Sequence, residues 1–209
     1  VSFVTGQYEV NEGGETLNAW VREEAVELLN KGKLVGVLGG DHSAPLGLFQ
    51  ALARRSPGFS VLHIDAHFDL RHAFEGFTYS HASIMRNVAA IDGIARFVHV
   101  GIRDYCKEES KRVAKSLGRH VVFTDRTVRK KLFEGGSWRL IADSILRALP
   151  RNPVYVSFDI DGLDPTLCPN TGTPVPGGFN LEEVFYLLTR VIESGRKISM
   201  APRVFLGAA

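Results

Sequence analysis

Short runs of β-branched and aromatic residues alternate with longer amphipathic stretches throughout this chain, and no other sequence feature limits its fold as strongly. Runs of this kind are typical of buried strands when turn residues bound them. The runs that predict strands cover residues 34–38, 60–65, 96–100, 120–124 and 154–160, and a sixth begins at residues 197–200. Strands that alternate with helical stretches indicate βαβ units, in which neighbouring strands run parallel.

The stretches between these runs carry apolar residues at helical spacing, and most are followed by a stop signal. Gly32 ends the first stretch and Pro150 ends the fifth, while Asn180 and Glu183 have the spacing of a capping box. The predicted helices cover residues 16–31, 44–55, 80–91, 105–117, 137–149 and 180–194. The predicted fold class is therefore α/β, a three-layer α/β/α sandwich whose mainly parallel sheet is covered on both faces.

Length and composition narrow the class of protein. A chain of 209 residues suits one sizeable domain, so we expect a single domain over residues 1–209. The net charge of +2 gives no support to nucleic-acid binding, and no apolar run approaches the ~20 residues that span a bilayer. Two distant cysteines, Cys106 and Cys168, are typical of reduced thiols in a cytoplasmic protein. The Val1 start and a C-terminal tail without a clear structural signature indicate a fragment, truncated at one or both ends.

Three clusters of histidine and aspartate follow predicted strands. They are GGDHS at residues 39–43, DAHFD at residues 65–69 and SFDIDGLDP at residues 157–165. Side chains at positions i, i+2 and i+4 share one face of an extended segment, so the acidic and imidazole groups of each cluster converge. Since ligands bind beyond the carboxyl ends of strands in parallel sheets, the clusters predict one common site.

Buried carboxylates repel one another and lose solvation unless a cation or a proton compensates them. The side chains that we expect to bind metal are His42, Asp65, His67, Asp69, Asp159 and Asp161. Carboxylates with some imidazole suit manganese or a similar divalent ion, and six ligands exceed the needs of one tetrahedral ion. The set therefore predicts two ions about 3.5–4 Å apart. For each cluster taken singly, the alternative is a solvated loop after a strand.

The three clusters resemble, in order and spacing, the signature motifs of the ureohydrolases, and the third continues as SFDIDGLDPTLCPNTGTPVPGG. The resemblance covers about residues 33–195, and the family includes arginase, agmatinase, formimidoylglutamase and guanidine-type hydrolases. It implies an arginase-like fold, two Mn²⁺ ions (nickel or another divalent ion being an alternative) and a homo-oligomer, a trimer or a hexamer. It also implies hydrolysis of a linear C–N bond in a guanidino compound by a hydroxide held between the ions.

The same resemblance assigns roles to the metal-binding residues. His42 and Asp69 would bind one ion, and His67 and Asp161 the other. Asp65 and Asp159 would bridge the pair.

Further roles also follow from the resemblance. Asp69 would steer the nucleophile and pass its proton to the leaving nitrogen, so it counts as catalytic as well. His81 matches the proton-shuttling histidine, with His72 as a nearby competitor. Thr173 and Asp104 would bind the substrate.

The substrate stays open among several guanidino compounds. Cys106 stands where arginases place a second acidic residue for the substrate α-amino group, which disfavours arginine. We expect agmatine, cleaved to putrescine and urea, before formimidoylglutamate, arginine or guanidine. Family members also carry a later glutamate that contacts the guanidinium, and no glutamate follows Met200. The alternative of another class is therefore a non-catalytic metal-binding subunit or fragment.

The remaining histidines and aromatic residues have simpler interpretations. His63 and His99 lie inside strand runs and are expected to be core residues or to support the ligands, whereas His120 is expected at the surface. The aromatic residues of the 74–79 segment either pack the loop or cover the substrate. Arg71 either contacts the site or is a surface charge.

Overall fold

A computed structural model describes residues 3–196, and its centre is a four-stranded sheet in which every strand pair is parallel. The strands are β1 (Phe59–Ile64), β2 (Ile94–Val100), β3 (His120–Phe123) and β4 (Val154–Phe158). Their order in the sheet is β3-β2-β1-β4. All four carboxyl ends therefore lie at one edge, and the prediction of a parallel sheet is confirmed.

Seven helices surround the sheet within the described residues. They are α1 (Phe3–Asn30), α2 (Leu46–Arg55), α3 (Ile84–Ala89), α4 (Lys107–Ala114), α5 (Asp125–Phe133), α6 (Trp138–Ala148) and α7 (Leu181–Glu193). Short 3₁₀ turns occur at His81–Ser83 and Ile160–Gly162. Within residues 3–196, none of the helices combines the length and the apolar character that crossing a bilayer requires.

Each face of the sheet carries its own apolar cluster. Phe59, Val61 and Phe97 point to the face that α1, α2 and α3 cover, where Phe49 of α2 is fully buried. The opposite face is packed by buried side chains of α5, α6 and α7, among them Ile145. Alternation along each strand sends successive side chains to opposite faces. The three-layer α/β/α prediction is thus confirmed.

Helix α1 crosses α2 at close range and thereby sets the position of the turn before α2. A Cβ atom on Gly47 would lie 2.4 Å from the backbone oxygen of Asn18 and 2.6 Å from the backbone nitrogen of Arg22, so only glycine permits this approach. Pro45 stands directly before the first residue of α2, so this helix begins two residues later than the predicted residue 44.

Three elements differ from the sequence-based prediction. Residues 34–38 form no strand and pair with none among the residues that the structure describes, so the predicted strand there is wrong. The predicted strand at residues 197–200 lies outside the described residues. Helix α1 begins 13 residues earlier than the predicted residue 16, and α5 was not predicted. The Asn180–Glu183 capping box is confirmed at the start of α7.

Candidate metal centre

Backbone pairing between β1 and β4 brings two aspartates side by side. Ile64 is opposite Phe158 in the register, and the Asp159 nitrogen donates to the Ile64 oxygen at 2.9 Å. The Asp65 nitrogen donates to the Val100 oxygen at 3.1 Å. Asp65 and Asp159 are therefore placed by the sheet itself, at the edge where parallel strands present ligands.

Each of these carboxylates uses one oxygen for the backbone and turns the other toward the site. Asp65 Oδ1 accepts from the His67 nitrogen at 2.6 Å, and Asp159 Oδ1 accepts from the Asp161 nitrogen at 2.9 Å. Asp161 Oδ1 accepts from the Ala66 nitrogen at 3.0 Å, which joins the two clusters. Local turns of this type fix the carboxylate rotamers, so the three Oδ2 atoms are left for other ligands.

His42 lies between the turn before α2 and the sheet. Its Nε2 is 2.9 Å from the Ser157 hydroxyl of β4. Its Nδ1 lies 3.2 Å from Asp65 Oδ2, 3.0 Å from Asp69 Oδ2 and 3.2 Å from Asp159 Oδ2. The ring is thus held from behind while its free nitrogen faces three carboxylates.

The second group of ligand atoms is centred on His67. Its Nδ1 lies 3.0 Å from Asp161 Oδ2 and 3.6 Å from Asp65 Oδ1. The Thr173 hydroxyl donates to Asp161 Oδ2 at 3.2 Å. Asp65 is shared by both groups, which is the arrangement that a bridging carboxylate requires.

Asp69 reaches the site through an uncommon backbone conformation. Its φ of 55° lies in the left-handed region, which a non-glycine residue rarely adopts, although aspartate does so more often than most. The Asp69 oxygen accepts from the Arg86 nitrogen of α3 at 3.0 Å, so the surrounding structure holds this conformation. Such outliers cluster at functional sites.

Burial and mutual repulsion shift the pKa values of the clustered side chains. Burial, together with the Asp65 charge, raises the pKa of Asp69 and of Asp161 to about 6. Burial opposes protonation of His67, but Asp161 and Asp65 outweigh it and raise its pKa to about 11. Burial likewise opposes protonation of His42, yet the carboxylates around it, led by Asp159, raise its pKa well above the ordinary value. Without a metal ion, the cluster therefore holds protons that compensate its negative charge.

The residues fit a divalent metal ion. Ligand atoms of His42, His63, Asp65 and Asp69 lie within 4.8 Å of one another, and those of Asp65, His67 and Asp161 form a second such group. His42 Nδ1 is buried and has no hydrogen-bond partner of good geometry among the residues that the structure describes. A buried nitrogen that faces three carboxylate oxygens without bonding any of them suits a shared cation.

A cavity of about 220 Å³ opens onto this cluster. His67, Asp69 and Thr173 form the side nearest the metal groups, as the sequence predicted for a common site. The other lining residues are Arg71, Phe74, His81, Ala82, Asp104, Tyr105 and Glu109. All four residues that the resemblance assigns to catalysis or substrate binding therefore border one cavity.

His81 and Asp104 stand at the rim of the cavity and are partly accessible. His81 Nδ1 lies 3.5 Å from Asp41 Oδ2, and this contact, against the effect of burial, raises the pKa of His81. Asp104 Oδ2 lies 3.8 Å from His67 Nε2, and its side chain is 67% exposed. His72 is exposed and is not among the residues that line the cavity, so geometry favours His81 as the histidine that faces a substrate.

The aromatic residues of the 74–79 segment were expected either to pack the loop or to border the site, and each interpretation holds for part of the segment. Phe74 lines the cavity, and the Arg71 guanidinium lies 5.5 Å from the centre of its ring. Tyr79 instead packs against the core beside α1, where a Cβ on Gly14 would lie 2.9 Å from the Tyr79 Cβ. One end of the segment therefore borders the cavity and the other packs the loop.

The prediction for His120 is wrong. His120 is buried, and its Nδ1 lies 2.9 Å from His99 Nε2. The expectation for His63 and His99 is confirmed, since both are fully buried and hydrogen-bonded. Both cysteines are free thiols.

Two supporting residues were missed because their partners are distant in sequence. The Arg103 guanidinium donates to the oxygens of Asp161 (2.6 Å) and Val175 (3.0 Å), and so ties the 160–175 segment to the end of β2. Glu109 is buried and accepts from the nitrogens of Leu70 and Cys106, both at 2.9 Å. The only local signal was the first turn of α4, where a glutamate at the third position can cap the helix.

Comparisons with known proteins agree with this arrangement of fold and ligands. The N(1)-aminopropylagmatine ureohydrolase of Thermus thermophilus is 41% identical over 180 residues, which cover 86% of this chain and 57% of that protein. The agmatinase of Bacillus subtilis is 35% identical over 176 residues, 84% of this chain and 55% of that protein. The solved agmatine ureohydrolase of Thermoplasma volcanium superimposes with a TM-score of 0.71 at 28% identity, covering 85% of this chain and 56% of that one.

The chain thus spans a little more than half the length of these relatives. A family model described as the arginase family matches residues 4–201, nearly the whole sequence. With that match and the relatives above, the chain belongs to the arginase family.

Proposed function

We propose that this chain carries the metal centre of a two-metal ureohydrolase that cleaves a guanidino amine, agmatine or an aminopropyl derivative of it, to urea and the free amine. The convergence of His42, Asp65, His67, Asp69, Asp159 and Asp161 on two adjoining groups of ligand atoms carries the proposal. Four carboxylates and two imidazoles favour manganese over a thiolate-bound zinc.

When bound, two divalent cations would supply Lewis acidity and lower the pKa of a water toward neutrality. The side chains of the chain have separate tasks. Asp69 borders both the ligand cluster and the cavity, so its carboxylate can hold a proton of the attacking water and deliver it to the leaving nitrogen. His81, partly exposed at the rim, can exchange that proton with solvent.

The charge of the cavity suits a cationic substrate. Asp69, Asp104 and Glu109 line it and face Arg71 as the opposing charge. A guanidinium group approaching the ligand cluster is attracted by these carboxylates and kept in orientation by the Thr173 hydroxyl beside Asp161. Asp104, mostly exposed, meets the amino group at the other end of the guanidino amine.

Two observations support an amine tail rather than an amino-acid tail. Position 106 is a cysteine, whose backbone nitrogen is held by Glu109 and which adds no negative charge for an α-amino group. The similar proteins from Thermus thermophilus and Bacillus subtilis are named for aminopropylagmatine and agmatine. Formimidoylglutamate, arginine and guanidine are the less favoured substrates.

The experiment is a substrate panel measured by urea release, with formamide release for formimidoylglutamate, first with Mn²⁺ and then with Ni²⁺. We expect kcat/KM to be highest for agmatine or N(1)-aminopropylagmatine and lower for arginine and guanidine. A matched variant, Asp161→Asn, removes one ligand charge at nearly constant volume and should abolish turnover. Higher kcat/KM for arginine than for either guanidino amine would contradict the substrate assignment.

The second candidate is a non-catalytic metal-binding subunit. This candidate predicts that the protein binds two ions per chain and releases no product from any compound of the substrate panel. We also propose that residues 1–209 belong to one domain, and that the protein is a cytoplasmic homo-oligomer, a trimer or a hexamer. Light scattering at several protein concentrations measures the number of subunits in the oligomer directly.

A further inference from the structure

Three buried imidazoles form a continuous file across the sheet, starting at the metal centre. His63 on β1 is paired in register with His99 on β2, and their Nδ1 atoms are 2.9 Å apart. His99 Nε2 lies 2.9 Å from Nδ1 of His120 on β3. At the other end, His63 Nε2 lies 2.8 Å from Asp65 Oδ2. We call His63, His99 and His120 the imidazole file.

Packing fixes the rings of the file. His63 and His99 are fully buried, and His120 is 8% exposed. The His120 ring stacks on Phe97 with a centroid distance of 4.7 Å, and the edge of Phe68 meets His99 at 5.5 Å. Because no ring can turn without breaking these contacts, each nitrogen has a fixed partner.

The two rings farthest from the metal centre are neutral. Burial, assisted by its imidazole neighbours, lowers the pKa of His99 well below the ordinary value. Burial and the nearby Arg119 and Arg112 lower the pKa of His120 to about 4. A neutral imidazole has one donor and one acceptor nitrogen, so neighbouring bonds of the file must point the same way.

The direction follows from the end that is attached to the carboxylate. Ionised Asp65 only accepts hydrogen bonds, so His63 Nε2 donates to it. With a single proton on His63, its Nδ1 accepts from His99 Nδ1, and His99 Nε2 accepts from His120 Nδ1. All three hydrogen bonds therefore point toward Asp65.

We propose that His99 and His120 are positioning residues that act through His63 to hold the Asp65 carboxylate in the orientation needed between the two metal ions. His99 Nδ1 holds the second nitrogen of His63 and so keeps the His63 ring aligned with Asp65 Oδ2. Asp65 Oδ1 is fixed by the His67 nitrogen at 2.6 Å and Oδ2 by His63, so the carboxylate cannot rotate. Residues that hydrogen-bond metal ligands act in this manner in other metal sites.

This inference rests on the proposed metal centre, but its first test needs no substrate. The seven histidines can be labelled with ¹⁵N, and long-range ¹H–¹⁵N spectra assign the protonated nitrogen of each ring. In metal-free protein and with Mg²⁺, we expect the proton on Nε2 of His63 and on Nδ1 of His99 and His120. A proton on Nε2 of His99, or on both nitrogens of His63, would overturn the assigned direction.

Variants test whether the file acts on the metal ions. His99→Phe keeps an aromatic ring in the stack and removes two hydrogen bonds, and should weaken Mn²⁺ binding by about 10–100-fold. His120→Leu removes the terminal donor and should weaken binding less, whereas His120→Asn retains an N–H donor and should restore the affinity of the unaltered protein. Calorimetric titration with Mn²⁺ alone measures all three.

Phe97→Leu is the matched packing control, because it removes the ring under His120 and no hydrogen bond. It should lower the melting temperature and leave Mn²⁺ affinity unchanged. Unchanged affinity in His99→Phe, or an equal loss in Phe97→Leu, would overturn the positioning role. If His99→Phe does not fold, the His120→Leu and His120→Asn pair decides. If the unaltered protein binds no Mn²⁺, the proposed function fails, while the spectra still decide the direction of the file.

Discussion

The metal centre has two halves that share Asp65 and differ in how they are enclosed. The inner half, His42, Asp69 and Asp159, is buried, and the His42 side chain is 4% exposed. In the outer half, His67 and Asp161, the His67 side chain lines the cavity and is 22% exposed, whereas the Asp161 side chain is 4% exposed. His42 and Asp159 of the inner half are oriented by the sheet, through Ser157 and the β1–β4 pairing, and Asp69 also lines the cavity. The outer half depends on a loop segment that Arg103 holds in place.

This difference indicates that the two halves have different roles. His42 and Asp159 are suited to retain an ion, because they are held by the most regular part of the fold and are buried. In the outer half, His67 combines its contact with Asp161 with a position on the cavity wall, so part of this half remains accessible. Each prediction below alters one half, or the residue common to both, and the largest effect comes first.

Replacing Asp65, the residue that both halves share, should impair metal binding in both halves. Asp65→Ala takes one carboxylate from both groups of ligand atoms. We expect both ions to be lost and turnover to fall by more than about 100-fold, the largest loss typical of residues that only support ligands. Elemental analysis of the purified variant measures the ions per chain. Asp164→Asn, in the third motif, is the control and should keep both ions, because among the described residues the Asp164 carboxylate is hydrogen-bonded only to Thr166. Two ions per chain in Asp65→Ala would rule out the bridging role.

His42→Ala and His67→Ala should separate the halves. Each variant should lose one ion and most activity, but His42→Ala should lower the melting temperature of metal-free protein more than His67→Ala does. Removing the buried His42 ring leaves the Ser157 hydroxyl without its partner, which costs about 1–3 kcal/mol. In a domain of this size each kcal/mol corresponds to about 2–4 °C. Calorimetry in the presence of EDTA measures this difference, and equal melting temperatures of the two variants would mean that the halves are equally rigid.

The pH dependence of Mn²⁺ affinity should reveal the protons that the ligand side chains of both halves hold in the metal-free protein. The raised pKa values of His42, His67, Asp69 and Asp161 mean that these groups keep protons in the metal-free protein at pH values where they would otherwise be deprotonated. An ion must displace those protons, so Mn²⁺ affinity should rise with pH. The slope is about tenfold per pH unit for each proton released.

Titrations at pH 6 and pH 8 in two buffers of different ionisation enthalpy count these protons. At pH 8 the release should come from His42 and His67, while at pH 6 the carboxyls, whose pKa values are about 6, add to it. His67→Ala should release about one proton fewer than the unaltered chain. An affinity that does not change between pH 6 and pH 8 would show that the carboxylates need no protons for compensation.

The residues of both halves could be identified equally well from the sequence, because the spacing of residues within each motif is a local property. In DAHFD and SFDID, side chains two residues apart share a face of an extended backbone, and the strand before each motif predicts its position in the fold. The parallel sheet and the capping box of α7 were predictable for the same reason. Each depends on the chemistry of a few neighbouring residues.

The features that could not be predicted depend on distant partners. Residues 34–38 have the alternation of a strand, with Val35 buried and Leu34 exposed, but a strand also requires a neighbour, which no local pattern specifies. The first half of α1 contains Gly6, Gly13 and Gly14, which disfavour a helix, and it is held by contacts such as Asn11 Oδ1 with the Thr78 nitrogen at 2.8 Å. Tertiary contacts outweigh propensity at such positions.

The burial of His120 and the role of Arg103 have the same origin. A histidine at the start of an edge strand is ordinarily accessible, and His120 is buried because His99 and Phe97 on the next strand accommodate its ring. From the sequence alone, Arg103 resembles a surface charge, because the 160–175 segment that accepts its hydrogen bonds is distant in sequence. Sequence spacing therefore predicts which residues converge at the strand ends, but not which residues hold them in place.

The smallest expected effect concerns the hydroxyl that orients the outer half. Thr173→Val removes the hydrogen bond to Asp161 Oδ2 while it keeps the shape of the side chain. One such bond contributes about 0.5–1.5 kcal/mol, so kcat/KM should fall by about two- to tenfold. Thr173→Ser retains the hydroxyl and should restore most of the loss.

The neighbouring Thr171→Val is the matched control. The Thr171 hydroxyl is buried and has no hydrogen-bond partner among the described residues, so its removal should leave both kcat/KM and Mn²⁺ affinity unchanged. Because Thr173 touches only the outer half, its loss should also leave the melting temperature of metal-free protein unaltered. A decrease in that temperature equal to the decrease in His42→Ala would place Thr173 in the framework of the protein rather than at the cavity, and the boundary between the halves would have to be redrawn inside the 160–175 segment.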